Sequence, residues 1–149
     1  AALDNASVGD TLYVWAGVYE EDIEIDRTLT LIGNGTSSII NGTGTGEVVR
    51  ITASWVILSG FRIQNGGNGI SIDNSDSNTV SNNTITDNSG DGIYLRYNYP
   101  LNLINSTIAN NGANKEITQF IENTKDTDSR VKVLHYKDNV FSFEDILVL

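Results

Sequence analysis

The chain has 149 residues, no cysteine, no methionine, one proline and a formal net charge of −10. No disulfide or thiolate metal site can form, the acidity argues against nucleic acid, and no apolar run reaches the roughly 20 residues of a membrane-spanning helix. The length suits one domain with an aliphatic core.

Composition changes near residue 112. All 14 glycines lie at or before Gly112, and the four lysines (Lys115, Lys125, Lys132, Lys137) follow it. Four basic and twelve acidic side chains up to Gly112 give −8; five and seven beyond it give −2. The expected division is a repeat domain over 1–112 and a capping or association segment over 113–149. The chain opens at Ala1 without methionine or a signal-like stretch, as expected of a mature or excised piece of a longer polypeptide.

The N-terminal AALDNASVGD is helix-compatible around Ala2, Leu3 and Ala6, then turns at Gly9-Asp10. It is positioned to cover an open end of a repeat array. From Thr11 the apolar residues alternate, as in Ile23 and Ile25 against Glu24 and Asp26, the period of a half-buried strand. Four inward columns follow in register. They are Ile25, Ile51, Ile72 and Leu95; Ile23, Val49, Ile70 and Ile93; Leu58, Val80 and Leu103; and Ile63, Ile85 and Ile108. Successive members stand 21 to 26 residues apart. Three short walls per coil, stacked about 4.8 Å apart, predict a right-handed single-stranded parallel β-helix of four to five coils. Asn65, Asn88 and Asn111 share a 23-residue spacing and are expected to form a corner column in left-handed backbone.

The stretches GDTLYVWAGVYEEDIEIDRTLTLIGNG and VSNNTITDNSGDGIYL resemble right-handed parallel β-helix proteins of the pectin-lyase-like group, over residues 2–112. That group includes pectin esterases, surface β-helix-repeat proteins, and carbohydrate-binding and sugar-hydrolase domains. The resemblance implies the all-β solenoid and leaves the activity open, because the matching residues shape coils and corners. Beyond it, Ile117, Phe120, Ile121 and Thr124 have helical spacing, predicting a helix over Asn114–Lys125 with Asn114 as N-cap. Two strands around a turn at Asp138-Asn139 would complete a C-terminal helix-plus-strands cap.

The register also gives outward positions. Glu24, Arg50, Ser71 and Tyr94 form one column, and Asp26, Thr52, Asp73 and Arg96 the next. Glu24–Arg50 and Asp73–Arg96 read either as cross-strand ion pairs or as a sugar-binding surface. In the second reading Arg50, Asp73, Tyr94, Arg96, Tyr97 and Tyr99 bind carbohydrate, with the tyrosines as stacking platforms. Tyr13, Trp15, Tyr19 and Trp55 are further aromatics that either bind pyranose faces or cover the solenoid flank.

A lyase or hydrolase would draw on Asp73, Asp91 and Arg96; the chain's single histidine, His135, falls outside the repeats. Calcium held by Asp87 and Asp91 is the cofactor alternative to none. Sequons at Asn5, Asn34, Asn41, Asn82 and Asn105 are expected glycosylation candidates. The expected function is therefore an extracellular or cell-surface module, carbohydrate-binding or structural and non-catalytic in this stretch. Its expected partner is a polysaccharide or cell-surface glycan. The alternatives are a lyase or hydrolase acting on an acidic glycan, and an assembly module that forms a homo-oligomer through residues 113–149.

Overall fold

The structure, a computed structural model, describes residues 2–97 and 101–112 in full and the backbone of 117–122, 130–137 and 140–147. Each coil contributes three strands. The first has β1 (Thr11–Tyr13), β2 (Gly17–Glu20) and β3 (Ile23–Ile25); the second β4 (Thr30–Ile32), β5 (Ser38–Asn41) and β6 (Val49–Ile51). The third has β7 (Ile57–Ser59), β8 (Arg62–Gln64) and β9 (Ile70–Asp73). The fourth has β10 (Asn78–Ser81), β11 (Thr84–Thr86) and β12 (Ile93–Arg96), and the fifth β13 (Leu101–Ile104), β14 (Thr107–Ala109) and β15 (Ile117–Glu122). First, second and third strands stack separately into faces A, B and C, and all pairing between coils is parallel.

All four columns pair in the expected register, though Leu103, at the upper end of its column, is 37% exposed and not inward as expected. On face C, Ile25, Ile51, Ile72 and Leu95 pair in register beside Ile23, Val49, Ile70 and Ile93. Leu58, Val80 and Leu103 stack on face A, extended downward by Leu31 and Leu12; Ile63, Ile85 and Ile108 stack on face B. In the middle coils these side chains are almost wholly buried, Ile51, Leu58, Ile63, Ile72 and Ile85 each at 0% exposure. Completely burying one such side chain is worth about 1.5–3 kcal/mol, so the columns are the main source of cohesion. At the lower end the 3-10 turn Ala2–Asn5 lays Leu3 against the core and Ala6 is buried.

Corners let strands of three or four residues turn. Left-handed residues stack coil upon coil: Gly60 (φ 79), Asn82 (φ 54) and Asn105 (φ 47) between faces A and B, and Asn65 (φ 61), Asp87 (φ 57) and Asn110 (φ 58) after face B. Between faces C and A stand Asn74 (φ 50) with Tyr97 (φ 52), and Trp55 (φ 61) with Ser77 (φ 58). At Gly60 a Cβ would also lie 2.7 Å from the Gly33 carbonyl oxygen, so the two coils meet there backbone to backbone.

Buried asparagines tie the fourth coil to the third. The Oδ1 atoms of Asn78, Asn83 and Asn88 accept the backbone N–H groups of Val56 (2.8 Å), Phe61 (3.0 Å) and Gly66 (3.0 Å), each 22 residues earlier. Asn88 Nδ2 also donates to Asn111 Oδ1 at 2.9 Å. The expected column of Asn65, Asn88 and Asn111 therefore divides. Asn88 and Asn111 join through their amides, whereas Asn65 aligns with Asp87, whose carbonyl accepts its N–H at 3.2 Å.

Two expectations for the C-terminal segment resolve differently. The predicted helix over Asn114–Lys125 is corrected where it is described: Ile117–Glu122 is a strand, paired in parallel with β12 from Ile93↔Ile117 to Arg96↔Phe120. An extended chain satisfies the open edge of β12, which a helix could not do. The parallel array thus runs past Gly112. The two expected strands do form, as β16 (Arg130–Lys137, including His135) and β17 (Val140–Leu147), an antiparallel hairpin added beyond β15. Asn114 and the turn at Asp138-Asn139 lie outside the described residues.

Candidate functional site

Face C presents the predicted outward columns. Arg50, Ser71 and Tyr94 are cross-strand neighbours, and Asp73 lies opposite Arg96. The strands dictate this: with Ile70, Ile72, Ile93 and Leu95 committed to the core, alternation directs Ser71, Asp73, Tyr94 and Arg96 outward. Arg50 and Arg96 are exposed, Asp73 and Tyr94 half-buried, and Ser71 is covered by its neighbours.

The expected ion pairs are corrected by the side-chain geometry. Among the described residues the salt bridges are Arg27–Asp26 at 2.8 Å and Arg62–Asp87 at 3.3 Å, so neither Glu24–Arg50 nor Asp73–Arg96 closes. The Arg96 guanidinium instead lies 5.1 Å from the centroid of the Tyr97 ring. A planar cation over an aromatic face is held by the ring quadrupole and by contact area. A hydrogen bond with Tyr97 and its electrostatic interaction raise Arg96 above the ordinary arginine value, with Asp73 and Tyr94 adding to the effect. Burial raises the Tyr94 phenol above its ordinary value, Arg96 opposing the shift. Near neutral pH this part of face C therefore offers a fixed cation, a neutral phenol and an aromatic surface.

Asp73 and Arg96 stand opposite each other in register, and the third catalytic candidate is near enough for its charge to act on Tyr94. Asp91 is 8% exposed in the turn leading to β12, where its N–H donates to Asn68 Oδ1 at 2.9 Å. Of the two calcium candidates, Asp87 turns to Arg62 on face B while Asp91 is buried. Among the described residues no group of three or more His, Cys, Asp or Glu side chains is arranged to hold a metal. Tyr99 lies outside the described residues.

Of the sequon asparagines, Asn5, Asn34, Asn82 and Asn105 are exposed. Asn41 is half-buried, its amide donating to Glu20 at 2.6 Å and accepting from Gln64 at 2.9 Å.

Trp55, which the sequence leaves open between binding pyranose faces and covering the solenoid flank, stands at the corner beside face C. It is 69% exposed in left-handed backbone. A tryptophan in the column where the next coil has serine is the signal that could have marked it. At the lower mouth of the solenoid, Tyr13, Trp15 and Tyr19 line a largely apolar cavity of about 350 Å³, with Glu21 its one charged lining residue among the described residues.

Comparison with known proteins agrees with this architecture. A bacterial alginate lyase from Paenibacillus sp. str. FPU-7 superimposes with a TM-score of 0.66 at 20% identity, covering 77% of this chain and 41% of the lyase. At that identity the likeness concerns the fold. A protein named cell surface glycoprotein from Methanothermus fervidus is 39% identical over 87 residues, 56% of this chain. This chain spans 14% of that relative's length. The family described as right handed beta helix region matches residues 27–142, most of the sequence, and takes in the strands from β4 to β16. With three parallel faces wound coil upon coil, the chain belongs to the right-handed β-helix family.

Proposed function

We propose that the chain is a cell-surface β-helix module that presents face C and its adjoining corner to a polysaccharide or cell-surface glycan. The 39% identity to a protein named cell surface glycoprotein carries the location. The ligand class is supported by the chemistry of face C. Arg50 and Arg96 supply donors that match carboxylates and hydroxyls, Asp73 accepts from hydroxyls, and Tyr97 and Trp55 supply exposed aromatic area. A surface with few interlocking side chains suits an extended ligand better than a small buried one. The solenoid beneath anchors this surface: Arg50 lies between the buried Val49 and Ile51, and Asp73, Arg96 and Trp55 each adjoin one buried residue, Ile72, Leu95 and Val56.

Two measurements test the two halves of this reading. Labelling intact source cells with a membrane-impermeant reagent should modify the protein; labelling only after lysis would refute the surface location. Affinity electrophoresis through neutral and acidic polysaccharides should retard the chain, with Arg96→Ala and Trp55→Ala each reducing retardation several-fold. Equal mobility in every polysaccharide would refute the binding role. Release of unsaturated or reducing sugar would replace that role with catalysis.

A further inference from the structure

The five sequons are scattered along the sequence, yet the coil register collects three on one edge. The corner from face A to face B is made by residues 33–37 in the second coil, 60–61 in the third, 82–83 in the fourth and 105–106 in the fifth. Asn34, Asn82 and Asn105 all fall in it. All three are exposed, and none has a side-chain hydrogen bond among the described residues. At the two upper positions the following residue fixes the direction. Asn83 is buried and Ser106 half-buried, so Asn82 and Asn105 face outward from the left-handed corner. Each sequon also keeps a threonine two residues on: Thr36 and Thr107 are exposed and Thr84 half-buried.

Asn41 has the same motif in a different setting. It ends β5 on face B, where its amide connects Glu20 and Gln64, and the Thr43 hydroxyl donates to the Asp22 carboxylate. Both groups that define this sequon are already used to join coils. A glycan there would displace that hydrogen-bonded ladder.

We infer that the edge between faces A and B is a glycan-bearing ridge, modified at Asn34, Asn82 and Asn105, while Asn41 stays bare. This rests on the surface location proposed above. The donor is a lipid-linked oligosaccharide. Its anomeric carbon–oxygen bond to the lipid phosphate breaks, a bond from that carbon to asparagine Nδ2 forms, and one amide proton is released. In a three-sided solenoid this edge lies opposite face C, so the attached chains leave the proposed binding face clear. Asn82 and Asn105 occupy adjacent coils, about 4.8 Å apart along the axis, and place two chains in one file.

The test is made on the full chain, purified folded and unglycosylated. It is incubated with an oligosaccharyltransferase and a lipid-linked oligosaccharide, then mapped by glycopeptide mass spectrometry. Attached sugar is expected at Asn34, Asn82 and Asn105, with at least ten-fold lower occupancy at Asn41. The combined variant Thr36→Ala, Thr84→Ala, Thr107→Ala should lose the ridge glycans while keeping the parent far-ultraviolet spectrum. A bare ridge, or Asn41 modified as fully as the ridge sites, overturns the inference. Neither result bears on surface labelling of source cells, so failure of the ridge is separable from failure of the surface reading.

Discussion

Replacing Asn83 with alanine should destabilise the solenoid far more than replacing its exposed neighbour Asn82 with glycine. Asn83 is 2% exposed, accepts the Phe61 N–H at 3.0 Å and donates to the Leu58 carbonyl at 2.9 Å. Alanine leaves a donor and an acceptor of the third coil without that partner in a buried position. Each buried unsatisfied group costs about 1–3 kcal/mol, so a loss of about 2–6 kcal/mol is expected for the two. For a chain of this length that lowers Tm by about 4–24 °C. The control is Asn82→Gly, one residue earlier. That side chain is exposed and its φ of 54 suits glycine, so Tm should move by less than about 2 °C. Thermal denaturation followed by circular dichroism, with urea unfolding in parallel, reads both variants. Equal effects of Asn83→Ala and Asn82→Gly would refute the claim that buried amides hold the coils together.

Gly60→Ala should cost more than the ordinary glycine-to-alanine change, because φ is 79 and the new Cβ would lie 2.7 Å from the Gly33 carbonyl oxygen. A fall in Tm of several degrees is expected; an unchanged melting curve would show that the second and third coils do not meet there. Asp26 is held below the ordinary carboxylate value by its hydrogen bond to Arg27. A lowered folded-state pKa gives stability that is present above the unfolded pKa and lost as pH falls through the folded one. Carboxyl carbon titration by NMR should place its midpoint below 3.8, and Arg27→Ala should move it upward; a midpoint unaffected by Arg27→Ala would refute the pairing.

The inward columns were legible because the same inward strand positions carry aliphatic residues at fixed alternation in coil after coil. Ile70 and Ile72 recurring as Ile93 and Leu95 leaves no other register, since a one-residue slip would put both pairs outside. The amide column was legible only in part, for a countable reason. Face B repeats at 22 residues from Ile63 to Ile85, while face C repeats at 23 from Ile70 to Ile93. The extra residue lies in the turn between β11 and β12. Asparagines matched at 23 residues on the face-B side are therefore one place out of step, and Asn65 meets Asp87. The C-terminal strand was hidden differently. Ile117, Phe120 and Ile121 fit a helix face, whereas Ile117, Gln119 and Ile121 fit alternation equally well. The free edge of β12, a tertiary partner, decides between them. Side-chain pairing on face C was beyond the register as well: backbone pairing sets Asp73 opposite Arg96, but rotamers turn the guanidinium to Tyr97.

The corner between faces C and A departs from what stability alone would select. Asn74 and Ser77 occupy its left-handed positions in one coil, and small polar residues carry that backbone at little cost. Tyr97 fills the Asn74 column one coil above, and Trp55 fills the Ser77 column one coil below, with φ near 52 and 61. A bulky residue held there costs about 1–3 kcal/mol. Burial does not compensate: Trp55 is 69% exposed and Tyr97 43%. Two exposed aromatic residues held in strained backbone, Tyr97 against Arg96 and Trp55 two coils below on the same corner, spend stability on surface presentation, which a purely structural corner has no reason to do. That physical cost supports locating the proposed glycan contacts at face C and this corner. It also singles out Trp55→Asn as the variant that should raise Tm by a few degrees while weakening polysaccharide retardation. A variant that gained stability and kept full binding would show that the strain at Trp55 serves something else.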